Sequence, residues 1–371
     1  MSDRQQLLFS KNVSTNIKAL GMIGVMLGHL VQTTRTTLPG DFANFSSVFV
    51  NCFLFISGYG LTKSYQAGGL DGFFKKRFST VYIPFFLATF LSGLLTDYVW
   101  FREHWLWDLT TTVLFINPQL PMDTSAWFVY FITFWYIIFY IVHKIKEKAN
   151  LNDNVKKWIP FAIFFTIGIL LTEFFFVGWV IAIFFRIHSL IFPLGVLFAT
   201  INCPSKLVQR IITLVMIIIF TPAFFYYVDI NWYKALIIIN ISSGIGFPLL
   251  VANFDYKFRI LEFTGNISYE LYLFENHVLR RYWSNVNISD CFMAYFYTFS
   301  VATLFKPFHE YIKELLMIRI PDLISNLNKR YKDRGYQKLE TIKISKDEVE
   351  KEEGKTIELS ERGSVYRNYN E

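Results

Sequence analysis

The chain of 371 residues is 53% hydrophobic and 19% aromatic, with 41 Phe and a positive mean hydropathy, more apolar surface than a soluble domain can hide. Its net charge of +7 comes from basic residues lying between apolar runs rather than on one soluble face, which sets nucleic-acid binding aside. Cys52, Cys203 and Cys291 lie far apart, so neither a disulfide framework nor a zinc spacing is present.

Runs of about 20 apolar residues, enough to cross a bilayer core as helix, recur at residues 14–33, 44–63, 79–98, 125–143, 158–177, 179–199, 211–228, 233–252, 264–283 and 289–306. The expected fold class is all-α, a polytopic integral membrane protein of about ten transmembrane helices. The N-terminal MSDRQQLLFSKNVS lacks a small-residue cleavage site behind a short apolar core, so the first run is expected to stay as a span. With the N-terminus in the cytoplasm, the inner side receives every basic residue except Arg35, Arg102, Arg186, Lys234, Arg280 and Arg281. That asymmetry predicts cytoplasmic N- and C-termini. The fifth and sixth runs are expected to form a tight hairpin. The long outer connection, residues 99–125, holds Trp100, Trp105 and Trp107, which suit either a sugar-stacking platform or, more simply, the membrane interface. Past Lys306 the stretch YIKELLMIRI has amphipathic character until Pro321 is expected to interrupt it, and the charged KISKDEVEKEEGK beyond has the composition of a disordered tail. Walker loops, dinucleotide fingerprints and internal repeats are absent from the sequence.

The first span pairs two titratable residues. Lys18 and His29 are eleven positions apart, which at 3.6 residues per turn returns them to nearly the same helix face, roughly 16 Å apart along the axis. An ionisable residue inside a span is costly without a partner, a cavity or a substrate, so His29 is a functional candidate. A neutral imidazole accepts a proton from a hydroxyl as a general base; the alternative is a histidine that only hydrogen-bonds a neighbouring helix. The second span ends in CFLFISGYGL, where Ser57, Gly58 and Gly60 allow close approach of a backbone or a ligand arm. The following KKRFSTVYIPFF brings Lys75, Lys76 and Arg77 to the inner interface beside Tyr82 and Pro84, cations suited to phosphate groups or to anionic lipid.

Taken in order, Lys18 with His29, then FLFISGY, the basic run ending at Tyr82 and Pro84, SAWFVYF at Ser125–Phe131 and GNISYELYLFE at Gly265–Glu275 resemble the membrane acyltransferase-3 family, integral membrane O-acetyltransferases of glycans. The resemblance extends over most of residues 14–280. It implies an enzyme that takes an acyl group, usually acetyl, from cytoplasmic acetyl-CoA and places it on a hydroxyl of a glycan, exopolysaccharide unit or lipid-linked sugar. Acetyl-CoA is then a substrate, with no permanently bound cofactor and no metal. The implied setting is the bacterial inner membrane, among membrane lipids and polysaccharide-assembly proteins. Residues 1–306 form the transmembrane acyltransferase domain in this reading, and residues 307–371 a charged cytoplasmic tail, partly disordered. His29 matches the family's catalytic histidine, Lys18 the cation before it, usually arginine, and Arg77 the first arginine of the basic motif. The chain departs from the family at Thr80, where many members have a second arginine, at Asn51, where many have an acid, and at Glu275, where the late segment often has histidine. Transfer is expected to be direct, with His29 deprotonating an acceptor hydroxyl that attacks the thioester; histidine also serves elsewhere as a nucleophile, which leaves a covalent route open.

Further polar residues within spans admit more than one reading. Arg186 and His188 either line the reaction cavity and steady oxyanion charge, or Arg186 pairs with Glu173 across the hairpin. Glu275 either orients His29, binds sugar hydroxyls or joins an interhelical pair, while Glu270 and His277 share a different face. His104, His143 and His309 fall at boundaries where solvated rings are expected. Two rival functions remain: a flippase or assembly protein for lipid-linked polysaccharide units, and a haem-binding electron carrier using His29, His188 and His277.

Overall fold

The computed structural model describes residues 7–33, 45–95, 104–116, 126–174, 182–201, 203–230, 233–254, 256–281 and 288–329. Among them every regular element is a helix. Arg35, Trp100, Arg102 and the charged end of the tail lie outside the described residues. The chain divides into compact units of residues 1–309 and 310–371.

In the first unit, α1 (Lys11–Thr33) and α2 (Phe45–Gly68) are long helices. They are followed by α3 (Phe73–Arg77), a π-helical turn (Phe78–Tyr82), α4 (Ile83–Leu95), α5 (Trp105–Val113), α6 (Trp127–Lys148), α7 (Asp153–Phe174), α8 (Ala182–His188), α9 (Ile191–Thr200), α10 (Lys206–Ile230), α11 (Tyr233–Asn253), α12 (Arg259–Asn266), α13 (Ser268–Arg281) and α14 (Ile288–Glu314), whose residues from 310 on belong to the second unit. Among the described residues six segments are long and apolar enough to cross a membrane: Phe73–Leu94, Trp127–Lys148, Asp153–Phe174, Ala182–Thr200, Lys206–Tyr227 and Lys234–Asn253. The chain is thus a helical, multi-pass membrane protein.

Lipid gives apolar helices no hydrophobic reason to associate, so contact depends on small residues that let backbones close up. Such residues set the two crossings that matter for the site. A methyl group at Gly28 of α1 would stand 2.5 Å from the backbone nitrogen of Ser46 of α2, and one at Gly24 would stand 2.3 Å from the Phe49 ring. On α2, Gly58 meets the carbonyl of Phe192 of α9, and Gly195 of α9 meets that of Phe55, each within 2.3 Å of an added methyl. Helix α2 is therefore held between α1 and α9. Gly60, expected to serve the same purpose, has nothing within 4 Å of its added methyl.

Proline accounts for the irregular helices. Pro84 has no N–H to offer Thr80, and the π-helical turn just before it re-pairs the chain, the Ile83 amide reaching Phe78 instead. The sixth apolar run breaks into α8 and α9 at Ser189–Leu190, ahead of Pro193, which cannot bond the Ser189 carbonyl. The carbonyls exposed at the end of α8 find side chains: Arg186 O accepts from Ser189 Oγ (3.1 Å) and Thr172 Oγ1 (3.3 Å), and Ile187 O accepts from Asn240 Nδ2 (3.1 Å). Helices α7 and α8 pack together as the hairpin reading requires, with Ser189 against Gly168.

The second unit is described to residue 329. Here the sequence-based expectation is corrected: Pro321 does not end the helix, because a second π-helical turn, Leu315–Arg319, absorbs its missing donor and helix continues to residue 329. Within this unit Arg319 pairs with Glu314 at 3.0 Å and lies over the Tyr311 ring.

Candidate active site

A cavity of about 150 Å³ opens beside the lower part of α1. Lys18 of α1, Val50, Phe53 and Ser57 of α2, Val81 of the π-helical turn, Phe128, Ile132 and Tyr136 of α6, and Ser268, Tyr269 and Tyr272 of α13 line it. The wall is mostly apolar, with one cation and a few hydroxyls, the composition of a small-molecule pocket. Lys306 and Glu270 are the charges that act on Lys18.

The basic segment approaches the same cavity from the side. The Arg77 guanidinium lies 5.5 Å from the ring of Tyr136, a cavity residue, and 5.6 Å from that of Phe73. Its buried Nε has no hydrogen-bond partner among the described residues. Lys76 is exposed, and its carbonyl takes the hydroxyls of Ser79 and Thr80. Tyr82 is half-buried and stacks on Phe78 at 5.0 Å. The π-helical turn is tied to α13 by the Tyr269 hydroxyl, which donates to Val81 O at 2.9 Å. The π-helical turn thus anchors one wall of the cavity, with Arg77 immediately ahead of it.

His29 lies higher on α1 and is not among the cavity-lining residues. Its Nδ1 is 2.9 Å from Glu275 Oε2, with the ring one-third exposed and the carboxylate 1% exposed. A carboxylate only accepts, so Nδ1 carries the proton and the ring's basic nitrogen is Nε2. Glu275 Oε1 is buried without a hydrogen-bond partner among the described residues. Just ahead of α13, α12 closes on the N-terminal part of α1 at Gly265, where an added methyl would stand 2.2 Å from Thr15 O. The structure therefore brings together two of the sequence candidates, His29 and Glu275, and places a second group, Lys18, Ser57, Arg77 and Tyr136, around the cavity.

Arg186 and His188 sit elsewhere. Arg186 donates Nε to the Thr172 carbonyl at 3.0 Å, Glu173 is exposed, and the expected pair between them is not among the ion pairs of the described residues. The carbonyl wins because the end of α7 brings Thr172, not the Glu173 side chain, against α8. His188 is fully buried in a polar cluster with Asn51 and Asn240. Two boundary histidines also differ from expectation. His143 is 1% exposed, donates Nδ1–H to Phe139 O and stacks on the Phe139 ring at 4.0 Å. His309 is buried against Glu270, Nε2 to Oε1 at 2.8 Å. His104 is exposed, as is Trp107, while Trp105 packs partly buried against the core.

Sequence reading passed over Tyr136, Tyr269 and Ser268. All three lie within or next to quoted motifs, but only the helix crossings turn them toward one cavity. The acyltransferase-3 family model, described as an acyltransferase domain, matches residues 14–306. No curated protein and no solved structure matches the chain.

Proposed function

The chain belongs to the acyltransferase-3 family and is a membrane acyltransferase; from that premise we propose that it moves an acetyl group from cytoplasmic acetyl-CoA to a hydroxyl of a glycan or exopolysaccharide unit, with His29 as general base. The observation that carries this reading is the pairing of His29 Nδ1 with the buried Glu275 carboxylate. Such a partner holds the ring in one tautomer and stabilises the imidazolium that forms when Nε2 takes the acceptor's proton. Lys18, Lys76 and Arg77 serve the phosphates of the donor, and the cavity from Lys18 past Ser57 to Val50 takes its pantetheine arm. Lys18 and His29 are roughly 16 Å apart along α1, a span such an arm bridges. Donor and acceptor thus meet inside the bundle, where water competes poorly for the thioester.

In this reading the chain crosses the bacterial inner membrane about ten times, α1, α2, α13 and α14 joining the six clearly apolar segments, with both termini cytoplasmic as the distribution of cations favours. The test compares surface-glycan O-acetylation in cells carrying the native chain, His29→Ala or Lys18→Ala, with membrane abundance measured in parallel. His29→Ala should abolish transfer while the protein accumulates normally. Normal transfer by that variant would refute the assignment.

A further inference from the structure

A second base lies at the level of His29, and its hydrogen bonds put a hydroxyl on it. Asn51 donates Nδ2 to Asn240 Oδ1 (3.0 Å) and to Ser243 Oγ (3.1 Å), so its Oδ1 is the atom that faces His188 Nδ1 at 2.7 Å. An amide oxygen only accepts; the proton of His188 is therefore on Nδ1, and Nε2 carries the lone pair. Against that nitrogen stands Ser47 Oγ, at 3.3 Å. Asn240 cannot reverse its own amide, because Nδ2 is committed to Ile187 O. Its Oδ1 offers the Ser47 proton an alternative resting place at 3.4 Å. Trp127 stacks on the His188 ring at 5.4 Å and is itself stacked by Phe184 at 4.6 Å. Hydroxyl, imidazole and orienting amide stand in the order of an activated nucleophile, at the loose spacing usual without substrate.

Exposure distinguishes this set from a packing network. His188 and Asn51 are fully buried, whereas Ser47 is only half-buried. Ser47 is also connected to the reaction site. It lies one turn from Val50 on α2, and Trp127 is next to Phe128; Val50 and Phe128 both line the cavity. Ser57, near the Lys18 level of that cavity, is ten residues from Ser47, about 15 Å along α2. The crossing of Gly28 on Ser46 brings Ser47 to the level of His29, one residue from the contact on either helix.

We propose that Ser47, activated by His188 and held in register by Asn51, carries the acyl group between donor and acceptor. This rests on the acyl-transfer reading above and replaces direct attack on the thioester by two steps. In the first, Ser47 Oγ bonds to the acyl carbonyl carbon and its proton passes to His188 Nε2. The carbon–sulfur bond breaks, and the departing thiolate takes that proton, leaving free CoA and an acyl ester on Ser47. In the second, an acceptor hydroxyl gives its proton to His29 and bonds to the same carbon. The bond to Ser47 Oγ breaks, and the His29 imidazolium returns the proton to the serine oxygen.

The test incubates membranes containing the full chain with radiolabelled acetyl-CoA in the absence of acceptor, quenches in acid and maps the label by mass spectrometry. Label on Ser47, approaching one acetyl per chain, is expected. Ser47→Ala should remove it and lower turnover at least 100-fold with unchanged membrane abundance. His188→Gln should slow labelling on the order of 10²- to 10⁴-fold, the usual reach of a general base. His29→Ala should keep the label while losing transfer to acceptor, which separates the two bases. Normal turnover by Ser47→Ala, label on another residue, or an unlabelled wild type that turns over normally would each overturn the serine relay and leave direct transfer standing. A wild type that neither labels nor transfers acetyl would overturn the acetyl-CoA reading and the relay with it.

Discussion

Replacing Glu275 by Gln tests the His29 assignment with little change of shape. The carboxylate is 1% exposed and its Oε2 is 2.9 Å from Nδ1. Glutamine still accepts the Nδ1 proton through its amide oxygen, so the tautomer survives and only the charge is lost. For charge centres about 4 Å apart at an effective dielectric of 20, the carboxylate favours the imidazolium by about 4 kcal/mol. At 1.36 kcal/mol per decade this amounts to a loss of about 10³ in kcat. The amide NH2 replaces Oε1, which has no hydrogen-bond partner among the described residues, so a stability cost of about 1–3 kcal/mol accompanies the substitution. Acetyl transfer from labelled acetyl-CoA to acceptor glycan, normalised to membrane abundance, measures the first effect, and thermal inactivation in detergent the second. Because base and orienting group act as a unit, the double variant with His29→Ala should be no slower than His29→Ala alone. Turnover of Glu275→Gln within about threefold of wild type, against the thousandfold expected, would refute the reasoning.

Other changes have distinct signatures. Lys18→Gln should raise the KM for acetyl-CoA about tenfold or more with a smaller effect on kcat, as expected for a group whose contact with the donor persists in the transition state; an unchanged KM would remove Lys18 from the donor site. Gly58→Ala places a methyl 2.3 Å from Phe192 O and should cost about 1–3 kcal/mol as overpacking, seen as lower abundance and melting temperature. Gly60→Ala, with nothing within 4 Å, is its neutral control, and equal losses in the two would contradict the α2–α9 crossing. Pro84→Ala supplies the donor whose absence the π-helical turn accommodates, so thermal stability should hold or rise while donor KM increases through rotation of Arg77; an unchanged KM would dissociate that turn from donor binding.

How much was legible beforehand follows from the range of each interaction. Helical class, the apolar runs and the alignment of Lys18 with His29 depend on composition and on the helical repeat within one segment, so order along the chain was enough to find them. The family motifs likewise lie in local sequence and led to His29, Lys18 and Arg77. Gly58 could be identified as a close-approach residue, but Gly60 looked the same, and only the position of α9 separates them. Of the partners of buried groups, only Glu275 for His29 was among the sequence readings, as one of three; the others were not legible. Glu275 reaches His29 across 246 positions, Asn51 reaches His188 across 137, and Arg186 takes a backbone carbonyl in place of the nearby Glu173. In an apolar interior a polar side chain pairs with whatever donor or acceptor the packing brings within reach. Sequence by itself determined a helical membrane acyltransferase and its candidate base; tertiary structure decided which carboxylate holds that base, which hydroxyls face the cavity and where a second imidazole meets a serine, because those outcomes depend on how glycine and proline let the helices cross.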